Sequence, residues 1–266
     1  MSSIIDSHCH LDRYDDVNSV LDRARAAGVT GFLAISTSPR NFDKVMPIAE
    51  AHPDVYAAAG VHPCDVNDVS ESTLYDWLVH CTQHPKVVAL GETGLDGLDR
   101  SPDRQRQKDI FRIHIQAAMD TDHPLVVHTR NTDDDFLSVM TPYMHGAGPK
   151  PKGVLHCFTG GLACAEQAIQ WGWKVSMSGI VTFKNAASVQ HMARHLPLSS
   201  LLVETDAPWL APDPHRGQVN EPAHIVHTVR HLATLKACSA QDIAQATTQS
   251  FVDLFPKARD IIHHTA

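Results

Sequence analysis

The sequence predicts an α/β fold, a (β/α)₈ barrel with an additional C-terminal helix, and three observations carry that prediction. Eight short apolar, β-branched runs recur along the chain, segments with helical spacing separate them, and the units follow one another without a break. Near-continuous apolar strands alternating with helices imply a parallel sheet covered on both faces. Eight such units in 266 residues fit a closed barrel better than a doubly wound open sheet, which is the second choice.

In order, the expected strands are residues 4–5, 29–36, 55–61, 87–90, 125–127, 154–155, 173–177 and 201–203. Helical spacing of apolar residues marks 17–27, 42–51, 73–84, 104–120, 133–144, 163–171 and 186–195 between them. After the eighth strand, 221–235 reads as the closing helix and 240–255 as the extra one. The Gly/Pro-rich stretch 145–152 is short enough to be a loop and not a boundary. No linker, repeat or low-complexity tract interrupts the pattern, so one domain over 1–266 is expected.

Composition narrows the function classes. Hydrophobic residues make up 43% and charged residues 20%, enough apolar material for a large core. The net charge of -8 excludes a general nucleic-acid coat, so a polyanion would be held by a local patch or by metal ions. The first residues lack a basic stretch followed by an apolar run, and no segment reaches the roughly 18 apolar residues that span a bilayer. The chain therefore reads as cytoplasmic with no membrane partner. Its six cysteines include no CxxC pair and are expected to be free thiols.

The informative residues are among the 19 histidines. His8 and His10 end the first strand, and because strand side chains alternate, both point to one face while Cys9 points to the other. Glu92, His128, His156 and Asp206 each follow an apolar run. In a barrel those strand ends converge on one rim, so residues distant in sequence can meet there. Any one polar residue at a strand end is explained by solvent. Six together, four imidazoles and two carboxylates, form a ligand set for two divalent ions such as Mg, Zn or Mn. His62, Arg130, Lys184 and Arg216 occupy other rim positions, the cations suited to an anionic substrate, and Asp96 is placed to orient a ligand.

The motifs Asp6-Ser7-His8-Cys9-His10-Leu11-Asp12, Gly60-Val61-His62-Pro63, Gly91-Glu92-Thr93-Gly94-Leu95-Asp96, Gly153-Val154-Leu155-His156-Cys157-Phe158 and Glu204-Thr205-Asp206-Ala207-Pro208-Trp209 together resemble the TatD family of metal-dependent deoxyribonucleases. The resemblance spans nearly the whole chain. It implies a TIM barrel of the amidohydrolase type and a 3′–5′ exonuclease on single-stranded DNA. It gives one metal to His8, His10, Glu92 and Asp206 and the other to Glu92, His128 and His156, with Glu92 bridging. A carboxylated lysine bridge is disfavoured, since Lys86 stands at the wrong end of its strand. Two positions depart from the family pattern: Gly97-Leu98 replaces an aromatic, and His114 replaces a glutamine, both where substrate is expected to pack.

The expected chemistry is phosphodiester hydrolysis by a metal-activated water, with Asp206 the first choice to accept the water's proton and Glu204 the second. Single-stranded or frayed DNA ends are the expected substrate. Hydrolysis of a small-molecule ester, amide or phosphoester on the same barrel is the alternative. A binding protein with a structural metal is disfavoured, because no cysteine is placed to close a four-coordinate shell.

Overall fold

Eight parallel strands succeed one another around the protein in chain order, in a computed structural model that describes residues 3–263. They are β1 (Ile4–Cys9), β2 (Val29–Ile35), β3 (Val55–Ala59), β4 (Val87–Asp96), β5 (Leu125–Arg130), β6 (Gly153–Leu155), β7 (Lys174–Met177) and β8 (Leu201–Val203). Closure between the last and first strands is made just beyond β8. Cys9 bridges Ala207, the His10 N–H donates to Ala207 O (2.9 Å) and the Asp206 N–H donates to His8 O (2.9 Å).

The intervening helices are α1 (Val17–Ala26), α2 (Pro39–Ala51), α3 (Glu71–Cys81), α4 (Arg104–Thr121), α5 (Asp133–His145), α6 (Leu162–Gln170), α7 (Ala187–His195) and α8 (Ile225–Lys236), and α9 (Ala240–Leu254) is the additional one. Among the described residues no helix is long and apolar enough to cross a membrane. Apolar residues on the outer faces of the strands pack against the inner stripes of the helices in one large cluster. A second cluster fills the barrel interior with Ile5, Leu33, Tyr56, Val88, Val126 and Leu202. Phe251, Phe255, Ala258 and Ile261 belong to it, so α9 and the 3-10 segment Pro256–His263 plug the end of the barrel away from the rim. That last segment went unforeseen because Pro256 reads as a stop and not as the start of another helical turn.

β1, β4 and β5 run further than their apolar runs. β4 and β5 stay paired out to Asp96 and Arg130, so Glu92 and His128 lie within strands and not just past them. Gly91 allows this: its φ of +145 and the 2.4 Å a Cβ would leave to Val126 O admit no side chain. At the other end of β4, the Lys86 ammonium donates to the carbonyls of His52, Pro53 and Val55, far from the rim.

His114 corrects one expectation. It does not face substrate but is fully buried on α4, where Nε2 accepts the Val61 N–H (3.1 Å) and Nδ1–H donates to Ile110 O (2.8 Å). Burial lowers its pKa from 6.5 to about 4. Between those values the unfolded chain binds the proton and the folded one does not. The stabilisation is therefore complete above about pH 6.5 and is lost progressively as pH falls from there to about 4. The linkage amounts to roughly 2 kcal/mol by pH 5. His114→Gln keeps an acceptor and a donor without the titration, so its denaturant stability should fall less than the parent's between pH 7 and pH 5. Parallel curves for the two proteins would show that His114 carries no such linkage.

Candidate metal centre

The first strand brings two imidazoles to the rim and a buried carboxylate anchors them. Asp6 accepts the Thr205 N–H (2.9 Å), the Thr205 hydroxyl (2.5 Å) and the His8 N–H (3.3 Å). Burial pushes the Asp6 carboxyl up to about 7, against these donors. The clamp fixes the stretch after β8 against β1 and so sets Asp206 beside His8 and His10.

Four donor atoms converge there. His8 Nε2 lies 3.2 Å from His10 Nε2, 3.4 Å from Glu92 Oε2 and 3.5 Å from Asp206 Oδ1. His10 Nε2 lies 3.8 Å from Glu92 Oε2 and 3.4 Å from Asp206 Oδ1. A divalent ion bound tetrahedrally at about 2.1 Å sets its donors about 3.4 Å apart. Two imidazole nitrogens at 3.2 Å bring their lone pairs together unless a proton or a cation lies between them. The donor set therefore fits a divalent ion.

The other oxygen of Glu92 faces a second group. Glu92 Oε1 is 2.8 Å from His156 Nε2, 3.1 Å from His128 Nδ1 and 3.4 Å from His62 Nε2, and the His156 and His128 nitrogens are 3.4 Å apart. Asp96 holds the far side of His128, accepting from Nε2–H at 3.1 Å, which fixes the tautomer and leaves Nδ1 a lone pair toward Glu92. Glu204 stands 3.4 Å from His156 Nδ1, within ion-pairing range though not aligned as a hydrogen bond. Glu204 is completely buried behind that ring, so the second-choice proton acceptor does not reach the open site. His62 falls within ligand range of Glu92 and His128. However, its Nδ1 accepts the Cys64 N–H (3.0 Å), which places the proton of the neutral ring on Nε2 and makes His62 a donor there and not a ligand.

The imidazoles differ in charge. Burial keeps His8 below the usual histidine range and lowers His62 to about 4. Burial opposes charge on His156 and His128 too, but Glu92 and Glu204 outweigh it at His156 and Asp96 and Glu92 at His128, and both are held above the usual range. Burial works against ionisation of Glu92, yet the surrounding imidazoles hold it well below the usual carboxylate range. Asp206 is likewise lowered, burial being outweighed by His10 and His8. A divalent ion held by these residues would take the place of imidazole protons.

The six expected ligands are thus brought together, all but His8 within reach of a pit of about 680 Å³ that His62 and Arg130 also line. Lys184 and Arg216 are not brought there. They line a separate depression, because the 3-10 helix Gly179–Thr182 turns the chain outward after β7 and Ile180 takes the place on the pit wall. Gly97 does not open the pocket either: a Cβ there would lie 2.6 Å from Asn131 O, so the residue admits close strand approach. Arg13, Arg100 and Trp209 line the pit and were not foreseen. Trp209 is 47% exposed with its ring edge-on to His10 at 4.9 Å, and its place three residues after Asp206 was the available signal.

A model of the family described as TatD related DNase matches residues 5–256. The chain is 38% identical over 259 residues to the uncharacterized metal-dependent hydrolase YcfH of Escherichia coli K12, covering 95% of each. It is 36% identical over 257 residues to the uncharacterized metal-dependent hydrolase TatD of Mycobacterium tuberculosis, covering 93% of this chain and 96% of that one. Among solved structures, YjjV, a TatD homolog from Escherichia coli K12, matches with a TM-score of 0.88 and 33% identity over 95% of this chain and 98% of its own.

Proposed function

This chain belongs to the TatD family of metal-dependent hydrolases, and from that premise we propose that it cleaves phosphodiester bonds of DNA with two divalent ions held on either side of Glu92. The supporting observation is the division of Glu92: one oxygen toward His8 and His10, the other toward His128 and His156. Magnesium, zinc or manganese ions bound there supply Lewis acidity, which lets water attack near neutral pH and offsets charge on the phosphoryl oxygens.

The chain's own groups do the rest. Asp206 turns Oδ1 to the two imidazoles and takes a proton on its other oxygen. His62 presents Nε2–H to a phosphoryl oxygen, while Asp96 and Glu204 hold His128 and His156 in orientation. Arg13, Arg100 and Arg130 draw the anionic backbone into the pit, and exposed Trp209 offers a face on which a base stacks. With -8 overall, such contacts are confined to a few phosphates, which a single-stranded or frayed end reaches and the middle of a stiff duplex does not. We place this activity in the cytoplasm, where the six free thiols stay reduced.

The test uses one DNA sequence as a linear single strand, a blunt duplex and a covalently closed single-stranded circle, beside nitrophenyl diester and nitrophenyl carboxylic ester. Shortening of the linear strand, slow duplex cleavage, an intact circle, and loss of all activity with chelator are expected. Rapid nicking of the circle would remove the end-access argument. Ester hydrolysis without diester cleavage would transfer the site to small-molecule esters.

A further inference from the structure

Beside the hollow that Lys184 and Arg216 line lies a larger depression. It has a volume of about 570 Å³ and is lined by Lys184, Asp213, His227, Arg230 and His231; the two share Lys184 and Asp213, and Arg216 lines the smaller. In a chain of 30 acidic and 22 basic residues, this wall reverses the balance. Of the acids between 184 and 236, Glu204 and Asp206 belong to the metal centre, Glu221 pairs with Arg23 (2.7 Å), and Asp213 is the one that faces the depression. Among the described residues, no carboxylate lies within 4.0 Å of the Lys184, Arg216 or Arg230 charge. One further feature, in the adjoining hollow, suits an anion. The Arg216 guanidinium stacks face-on over Phe183 at 3.5 Å, which fixes it while leaving its edge N–H donors free.

The depression adjoins the pit through two walls. Ile180 lines the pit and Thr182, two residues on, lines the depression; Leu210 and Asp213 stand in the same relation three residues apart. At no more than about 3.6 Å per residue, each wall is at most about 11 Å across. We propose that this depression is a second phosphate site, which takes a phosphodiester of the same DNA strand a few nucleotides from the bond being cut. The assignment rests on the reading of the protein as a DNA hydrolase.

The experiment compares metal-loaded parent, Lys184→Glu/Arg230→Glu and the control Lys150→Glu/Lys152→Glu, which makes the same charge change in the loop before β6. A deoxythymidine dinucleotide, a dodecamer and the nitrophenyl diester serve as substrates. The rim variant should raise the dodecamer KM about tenfold or more with kcat within about twofold, and flatten the salt dependence of log KM by about 0.7, the amount for one lost phosphate contact. It should leave the dinucleotide and the small diester unaffected, and the control should match the parent. An unchanged dodecamer KM, or an equal rise in the control, overturns the site. A free deoxynucleoside monophosphate supplies the same chemistry: if it inhibits the parent through Lys184 and Arg230 while dodecamer KM is unchanged in the variant, the site takes mononucleotides and not the strand. Should the parent cleave the nitrophenyl diester but neither oligonucleotide, the DNA reading fails by itself. Anisotropy of a labelled dodecamer on metal-loaded protein then decides the site, a tenfold loss of affinity in the rim variant supporting it and no loss overturning it.

Discussion

Asp206→Asn is expected to lower kcat by about 10²–10⁴-fold while the protein stays folded. Asp206 sits in the left-handed region at φ 53, which asparagine and aspartate both enter more readily than most residues. The N–H bond to His8 O and the packing around the side chain are unaffected by the change. Oδ1 of an amide can still face His8 and His10, but the second position becomes an NH₂ group that cannot accept a proton. Thermal melts alongside kcat on the nitrophenyl diester separate the two effects. A variant with kcat within about tenfold of the parent, roughly 1.4 kcal/mol on the barrier, would take the base role away from Asp206.

Glu92→Gln should have the larger effect on metal. The native carboxylate presents an acceptor oxygen to each of two imidazole groups, at 3.4 Å from His8 and 2.8 Å from His156. An amide has one oxygen, so one of the two groups meets an NH₂ donor, and the negative charge shared between them is gone. At least one ion per chain should be lost by elemental analysis after loading and desalting, with kcat down about 10³-fold or more, beyond the 10–100-fold typical of residues that merely orient a ligand. Asp96→Asn provides that milder comparison, since Asp96 acts on His128 from behind. Full metal content in Glu92→Gln would mean that Glu92 is not shared.

Much of the site was legible because strand periodicity and barrel convergence are short-range rules with long-range consequences. Alternation in β1 places His8 and His10 on one side, and convergence brings Glu92, His128, His156 and Asp206 to them across nearly 200 residues. What the apolar runs concealed was polar residues inside strands: β4 continues through Glu92 to Asp96, where the Glu92 and Asp96 carboxylates meet protein partners instead of solvent. Loops were less legible still. Lys184 and Arg130 hold equivalent positions in sequence, each shortly after an apolar run, yet the turn at Gly179–Thr182 carries one outside the pit that the other lines. Arg100 reaches the pit from a loop whose path no periodicity constrains. His114 was misplaced because a helix position facing the strands looks the same in sequence whether it supports a backbone N–H or a ligand.

The central claim, one carboxylate shared between two cation sites, is tested most directly by anomalous diffraction from crystals of the manganese-loaded protein. Two anomalous peaks should flank the Glu92 carboxylate roughly 3.5–4 Å apart, one against His8, His10 and Asp206 and the other against His128 and His156. A single peak at saturating manganese, or a second peak that does not touch Glu92, would contradict it.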